Sequence, residues 1–202
     1  MSKIVKLQTS VASFLPAEPP RRASIRRRSR FFATLFSVAL VLAVLFAVAL
    51  VLAVALYNGP LLAYGPGGVR FAPPPEEAAH LTPLSSFSFA QRLTGAAALS
   101  VLIAPVIFVF AHLRGLFRLY ADGVVFAQTN ARHIKAIGVG LIAYAFAPFF
   151  AHHLIRLVGV TSDPVWFHLD EVQALVAGAL LFIIAEVVRF GGEIEYERDG
   201  FI

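Results

Sequence analysis

Six histidines, twelve carboxylates and no cysteine are the chain's whole supply of metal-ligating and acid–base side chains. Without cysteine there are no disulfides, thiolate metal sites, iron–sulfur clusters or cysteine catalysis. The densest histidine–carboxylate group is His152-His153 with His168, Asp170 and Glu171. It sits where two apolar runs end and begin, so a metal on His153, His168 and Asp170 is geometrically open. Adjacent histidines on a helix diverge by roughly 100°, so His152 and His153 cannot face one ion together. The expectation is a solvated interfacial cluster with no metal and no cofactor. Haem fares no better: His112 lies near the opposite end of its run from His152 and His153, and bis-histidine ligation needs matched depths. Ser85, Ser86, Ser88 and Ser100 lack a nucleophile motif, and Gly65-Pro66-Gly67-Gly68 is a proline-flanked turn rather than a phosphate loop.

One carboxylate, Glu186, interrupts an apolar run, and an intramembrane ionisable group is a functional candidate by default. Its place near the end of that run predicts an ion pair with Arg189 or Arg114 instead. What remains is a polar segment, Leu113 to Gly138, held between two apolar runs. Arg114, Arg118, Arg132 and Lys135 make it basic, and Val124-Val125-Phe126 gives it an apolar centre next to Asn130. The acidic run Glu193, Glu195, Glu197 and Asp199 would lie at the same level. Opposite charges around an apolar anchor suit the docking of another protein.

The elements that position these groups are membrane helices. The hydrophobic fraction is 58% and the charged fraction 14%, against roughly a quarter charged in ordinary globular chains. The apolar residues fall in blocks of spanning length. The expected fold is all-α: a polytopic membrane protein of four helices in an antiparallel bundle. The spans are placed at about 31–57, 93–112, 134–154 and 172–188. Residues 1–30 are expected to be a disordered basic leader and 191–202 an acidic tail, flanking a membrane domain at 31–190. The first apolar run exceeds a signal h-region, so it reads as an anchor.

Between the first two spans, proline and glycine predict an extended loop with a short strand near Val69–Phe71 and a helical turn after Pro75. Pro105 and Pro148 lie inside spans. Asp122-Gly123 should end the second helix, and Thr129 should cap the third. Small residues at Gly95–Ala98, Gly138, Gly140, Ala174 and Gly178 invite close helix contact, within one chain or between copies. Orientation follows from counting Lys and Arg. Eight in the leader, four between spans two and three and two in the tail oppose three on the other side. The positive-inside rule then puts both termini in the cytoplasm, the N-in/C-in arrangement. The basic leader sits beside an apolar run, so its partner is anionic lipid, not nucleic acid.

Arg118-Leu119-Tyr120, Gly123-Val124-Val125-Phe126, Asn130-Ala131-Arg132 and Ile137-Gly138 resemble a bacterial four-span membrane family, the DUF-2975 family. Ala185-Glu186-Val187 and the ending Glu197-Arg198-Asp199-Gly200-Phe201-Ile202 resemble it too, so the similarity runs over about Phe31 to Ile202. The proline-rich first loop and Gly200-Phe201 depart from the family's pattern. The resemblance implies a protein of the bacterial inner membrane, often encoded beside a small helix-turn-helix DNA-binding protein, and supplies no catalytic residues. The functional expectation is therefore non-enzymatic. The protein senses the membrane or outer surroundings and binds a cytoplasmic regulator through Arg114, Arg118, Phe126, Asn130, Arg132, Lys135, Glu193, Glu197 and Asp199. The alternatives are a small transporter or channel subunit and, third, a metal-dependent membrane enzyme.

Overall fold

The computed structural model describes residues 20–65, 68–78, 80–160 and 168–199. Four long helices dominate: α1 Pro20–Leu56, α2 Phe89–Ala121, α3 Gln128–Leu157 and α4 Leu169–Asp199. Each is long and apolar enough to cross a membrane, as in a multi-pass membrane protein. The 33 residues of α2 extend about 50 Å at ~1.5 Å per residue, against about 30 Å of hydrocarbon. The helix exceeds that thickness by about 20 Å. One end, where α1 and α3 begin and α2 and α4 finish, collects the arginines and is here the basic end. The other is the sheet end.

The helices run up and down, and each packs on the next in sequence: α1 on α2, α2 on α3, α3 on α4. No comparable seam joins α1 to α4 among the described residues. α1 offers Ala33, Ala47 and Val54 as buried positions, a spacing in sevens that keeps one narrow seam on a neighbour. Large side chains such as Leu42, Leu45 and Phe46 stay exposed, as lipid-facing residues do. At the basic end this seam carries Phe32 and Phe36, stacked on Phe117 of α2 at 5.1 and 5.5 Å between centroids. Ala96 and Ala98 bury the small-residue face of α2, as expected.

The α3–α4 seam is closest at Gly138 and Gly178. A Cβ on either would lie 2.8 Å from the other's carbonyl oxygen. Two backbones meet there, and only glycine permits it. These small residues are thus used inside one chain. Gly140 similarly admits Val109 and Phe108 of α2.

Three boundaries differ from expectation. α1 starts at Pro20 rather than near residue 31, so Arg26 to Arg30 form helix and not disordered leader. Proline is at home in a first turn and arginine is a good helix former, so nothing after Pro20 breaks the run. α3 begins at Gln128 with Ala127 at the cap and no side-chain bond, so Thr129 does not cap it. α4 passes through Gly191-Gly192 and reaches Asp199, where a polar tail was expected to follow a stop. Residues 1–19 lie outside the described residues, as do the side chains of Glu195, Glu197 and Asp199.

The expected loop between α1 and α2 holds a small sheet. β1 Leu62–Gly65 pairs antiparallel with β2 Gly68–Phe71 and with β3 Thr82–Pro83, in the order β2-β1-β3. The strand near Val69 and the helical turn Pro75–Ala78 are both present. Leu62 and Leu84 join Val54 and Ala96 in a buried cluster that seats the sheet on the ends of α1 and α2. Ser88 and Gln91 start α2 with a reciprocal capping box, and Gln91 Nε2 also donates to Val158 O at the end of α3.

Candidate functional site

The polar segment between α2 and α3 is a short, braced connector at the basic end. α2 stops at Ala121 because Gly123 takes a left-handed φ of +86°. Gly123 N donates to Tyr120 O at 3.1 Å and Val124 N to Leu119 O at 2.9 Å. That pair of bonds is a Schellman motif, which satisfies the last carbonyls of the helix. Asp122-Gly123 therefore acts as the stop that the sequence indicates.

The next three residues are held from behind. Asn130 is 0% exposed, and its Nδ2 donates to Val124 O at 2.8 Å and Val125 O at 2.7 Å. The chain is then clasped by α4. A Cβ on Gly192 would come within 2.5 Å of Phe126 O, and one on Gly191 would touch the Phe126 ring. The glycine pair is thus the seat of the connector, which explains why α4 carries it without ending. From the other side, Arg26 Nε of α1 donates to Ala121 O at 3.3 Å. All four helices converge on six residues of backbone.

This framework sorts the sequence-derived candidates. Phe126 is 52% exposed and follows the exposed Val124 and Val125, so an apolar tip does face outward. Arg118, Arg132 and Lys135 are exposed around it, with Lys135 Nζ 5.8 Å over the Phe182 ring of α4. Asn130 is corrected: a fully buried side chain cannot meet a partner, and its role is to hold the tip. Arg114 is half-buried, and its Nε has no hydrogen-bond partner, so it stands apart from the exposed girdle. Glu193 is exposed and lies 4.0 Å from Arg189 Nε. Glu197 and Asp199 have side chains outside the described residues.

Glu186 pairs with Arg189 at 2.7 Å, the expected ion pair, and both side chains are more than half exposed. It faces outward and lines no interior path. Beside the connector, His112 of α2 and His133 of α3 meet with Nδ1 atoms 3.0 Å apart. The His133 ring lies over Gly115, where a Cβ would approach its Cε1 to 2.5 Å. One ring must donate and the other accept, so the pair fixes complementary tautomers. The sequence shows both histidines but not their meeting, because 21 residues and a turn separate them.

At the sheet end, His168, Asp170 and Glu171 place one ligand atom each within 4.8 Å of the others. Glu171 takes the place expected for His153, whose Nδ1 faces Phe149 O of its own helix at 2.8 Å. Glu171 is buried, and its Oε2 accepts the His168 backbone N–H at 2.6 Å. Asp170 accepts from the Tyr144 hydroxyl at 3.3 Å. Two of the three groups already hold the start of α4 together.

Compared with known protein families, residues 74–202 match DUF2975, described as a protein of unknown function. The chain belongs to that family. The match starts later than the Phe31 expected from sequence, leaving α1, β1 and β2 outside it. No curated protein and no solved structure matches the chain.

Proposed function

We propose that this DUF2975 protein is a non-enzymatic component of a bacterial inner membrane, with both termini cytoplasmic, that docks a cytoplasmic partner on the connector between α2 and α3. The single observation that carries this is the exposed apolar tip Val124–Phe126 on a braced backbone. Apolar side chains held outward on a rigid turn lose little entropy on binding, which is how interface anchors work. Exposed Arg118, Arg132 and Lys135 supply a charged rim that steers encounter. The partner class comes from the resemblance: a helix-turn-helix DNA-binding protein, sequestered at the membrane and released when the helices respond to the bilayer or outer surroundings. The orientation rests on the excess of Lys and Arg at this end.

A transporter or channel is the less favoured reading. It needs polar groups along a shared interior, and among the described residues the buried polar side chains are Ser29, Asn130 and Glu171, all near helix ends. The deciding experiment is crosslinking of the tagged protein in its native cells, followed by identification of what co-purifies. Recovery of a helix-turn-helix protein, lost with Phe126→Asp but retained with Glu186→Gln, supports docking. Recovery of the chain and lipid alone refutes it.

A further inference from the structure

The charges of α2 and α3 bracket a slab of hydrocarbon depth. α2 carries no Lys, Arg, Asp or Glu between Arg92 and Arg114, and α3 none between Lys135 and Arg156. At ~1.5 Å per residue each interval is about 32 Å, close to the ~30 Å of a bilayer's hydrocarbon. The two intervals are level. Gln91 Nε2 donates to Val158 O at 3.2 Å at one end, and His112 meets His133 at the other. Arg92 in turn donates to Ala55 O at 2.8 Å and to Asn58 Oδ1 at 3.2 Å, which sets the sheet-end boundary on α1 at those residues.

Just inside that boundary a groove runs along one flank of α1. Phe46, Ala49, Ala53 and Tyr57 share this flank, roughly a quarter turn around the helix from the Ala47–Val54 seam with α2. Leu61, Val69 and Phe71, in and beside strands β1 and β2, form the facing wall. Ala49 and Ala53 give a floor of small residues between larger side chains. Phe46, Leu61 and Phe71 stay exposed at 66, 44 and 73%. Among the described residues every one that lines the groove is apolar but for the Tyr57 hydroxyl. The Leu62–Phe71 pair stands at the open end of the hairpin, away from Gly65 and Gly68. α3 and α4, which residues 161–167 join, share no comparable seam with α1 among the described residues.

Depth and length determine what covers this groove. It lies within the hydrocarbon slab, where an aqueous partner does not reach. From Phe46 to Tyr57 it extends about 16 Å, half of the slab and the depth of one leaflet. A further membrane-crossing helix would need about 30 Å of contact, and the hairpin already occupies the sheet end of this flank. We propose that the groove seats one acyl chain of a phospholipid in the sheet-end leaflet, ordered between α1 and the hairpin. On the exposed side of α1 around Val41 and Leu45, a chain meets a single helix. In the groove it meets two walls and buries more apolar surface, which is the source of its retention. Recognition is by the chain and not by the headgroup, because the walls offer no charge. The seated chain would couple lipid packing to the sheet, which rests on the ends of α1 and α2.

The test is native mass spectrometry of the full chain released from nanodiscs of phosphatidylcholine and phosphatidylglycerol in equal parts. The unaltered protein should carry one retained phospholipid of either headgroup. Ala49→Trp fills the floor from an exposed position and should lose that lipid. Val41→Trp, at a residue 57% exposed on another side of the same helix, also adds an indole and should retain it. Both variants should keep the parent's melting temperature in detergent, since neither residue lies in the α2 seam. Phosphatidylcholine spin-labelled near the chain end should show a motionally restricted component in electron paramagnetic resonance, absent from Ala49→Trp alone. The proposal is overturned if the unaltered protein retains no lipid, if Ala49→Trp retains as much, or if only one headgroup is kept. A dimer that Ala49→Trp converts to monomer also overturns it and assigns the groove to a second copy of the chain.

Discussion

Asn130 is the residue on which the geometry of the docking tip depends, and its replacement separates bracing from contact. Its Nδ2 gives two hydrogen bonds of 2.8 and 2.7 Å to the Val124 and Val125 carbonyls from a fully buried position. At ~1 kcal/mol net per bond, Asn130→Ala forfeits about 2 kcal/mol. Some is recovered, because Asn130 Oδ1 is buried without a partner and its removal relieves a penalty of about 1 kcal/mol or more. The net expectation is at most about 1 kcal/mol of destabilisation. Asn130→Asp is the sharper test. It keeps the shape but sets a carboxylate oxygen against two carbonyls at hydrogen-bond distance, so two attractions become repulsions around a buried charge. The loss should exceed 3 kcal/mol, the range for an unpaired buried charge. The chain contains no cysteine, so a nitroxide on Val125→Cys labels one site without background. Electron paramagnetic resonance in nanodiscs then reports mobility of the tip, and reversible unfolding in mixed micelles reports stability. The label should loosen from the parent through Asn130→Ala to Asn130→Asp, with stability falling in the same order. An aspartate variant as stable and as immobile as the parent would refute the bracing role.

Other perturbations follow from the same contacts. Gly138→Ala should cost about 1–3 kcal/mol in mixed-micelle unfolding, because its Cβ would lie 2.8 Å from Gly178 O; combined with Gly178→Ala the loss should be less than additive, since both spend the same close approach. Gly115→Ala displaces the His133 ring and should break its 3.0 Å contact with His112, seen as a changed histidine nitrogen chemical shift in solid-state NMR while Asn130 stays unaffected. Glu77→Ala, at an exposed pair with Arg70, should change stability by less than about 1 kcal/mol. Gly192→Val meets the Phe126 carbonyl and should abolish partner capture as fully as Phe126→Asp, while the label at Val125 becomes mobile only in the glycine variant.

The sequence alone determined much of what depends on counting and on local chemistry. Four apolar runs are of membrane-spanning length, and that needs no tertiary information. The stop at Asp122-Gly123 was legible because only glycine takes the left-handed turn there without strain. So was the pairing of Glu186, since Arg189 stands one helical turn away. The strand near Val69 and the turn after Pro75 were visible in local composition. Boundaries in charged helix were not, because Arg26 to Arg30 and the residues after Gly192 have no breaker to mark them and helix continues by default.

Tertiary structure decided the meaning of individual residues. Asn130 reads as an exposed polar side chain beside a motif until the chain folds back and buries it behind Val124 and Val125. Gly191-Gly192 reads as a helix stop until Phe126 is found lying across it. The His112–His133 contact and the Gly138–Gly178 crossing each join residues from different helices. Hydrophobic periodicity places a residue on a face of its own helix, but it carries no record of axial register between helices. That register is set by where two backbones can approach most closely, and it is what brings these side chains together.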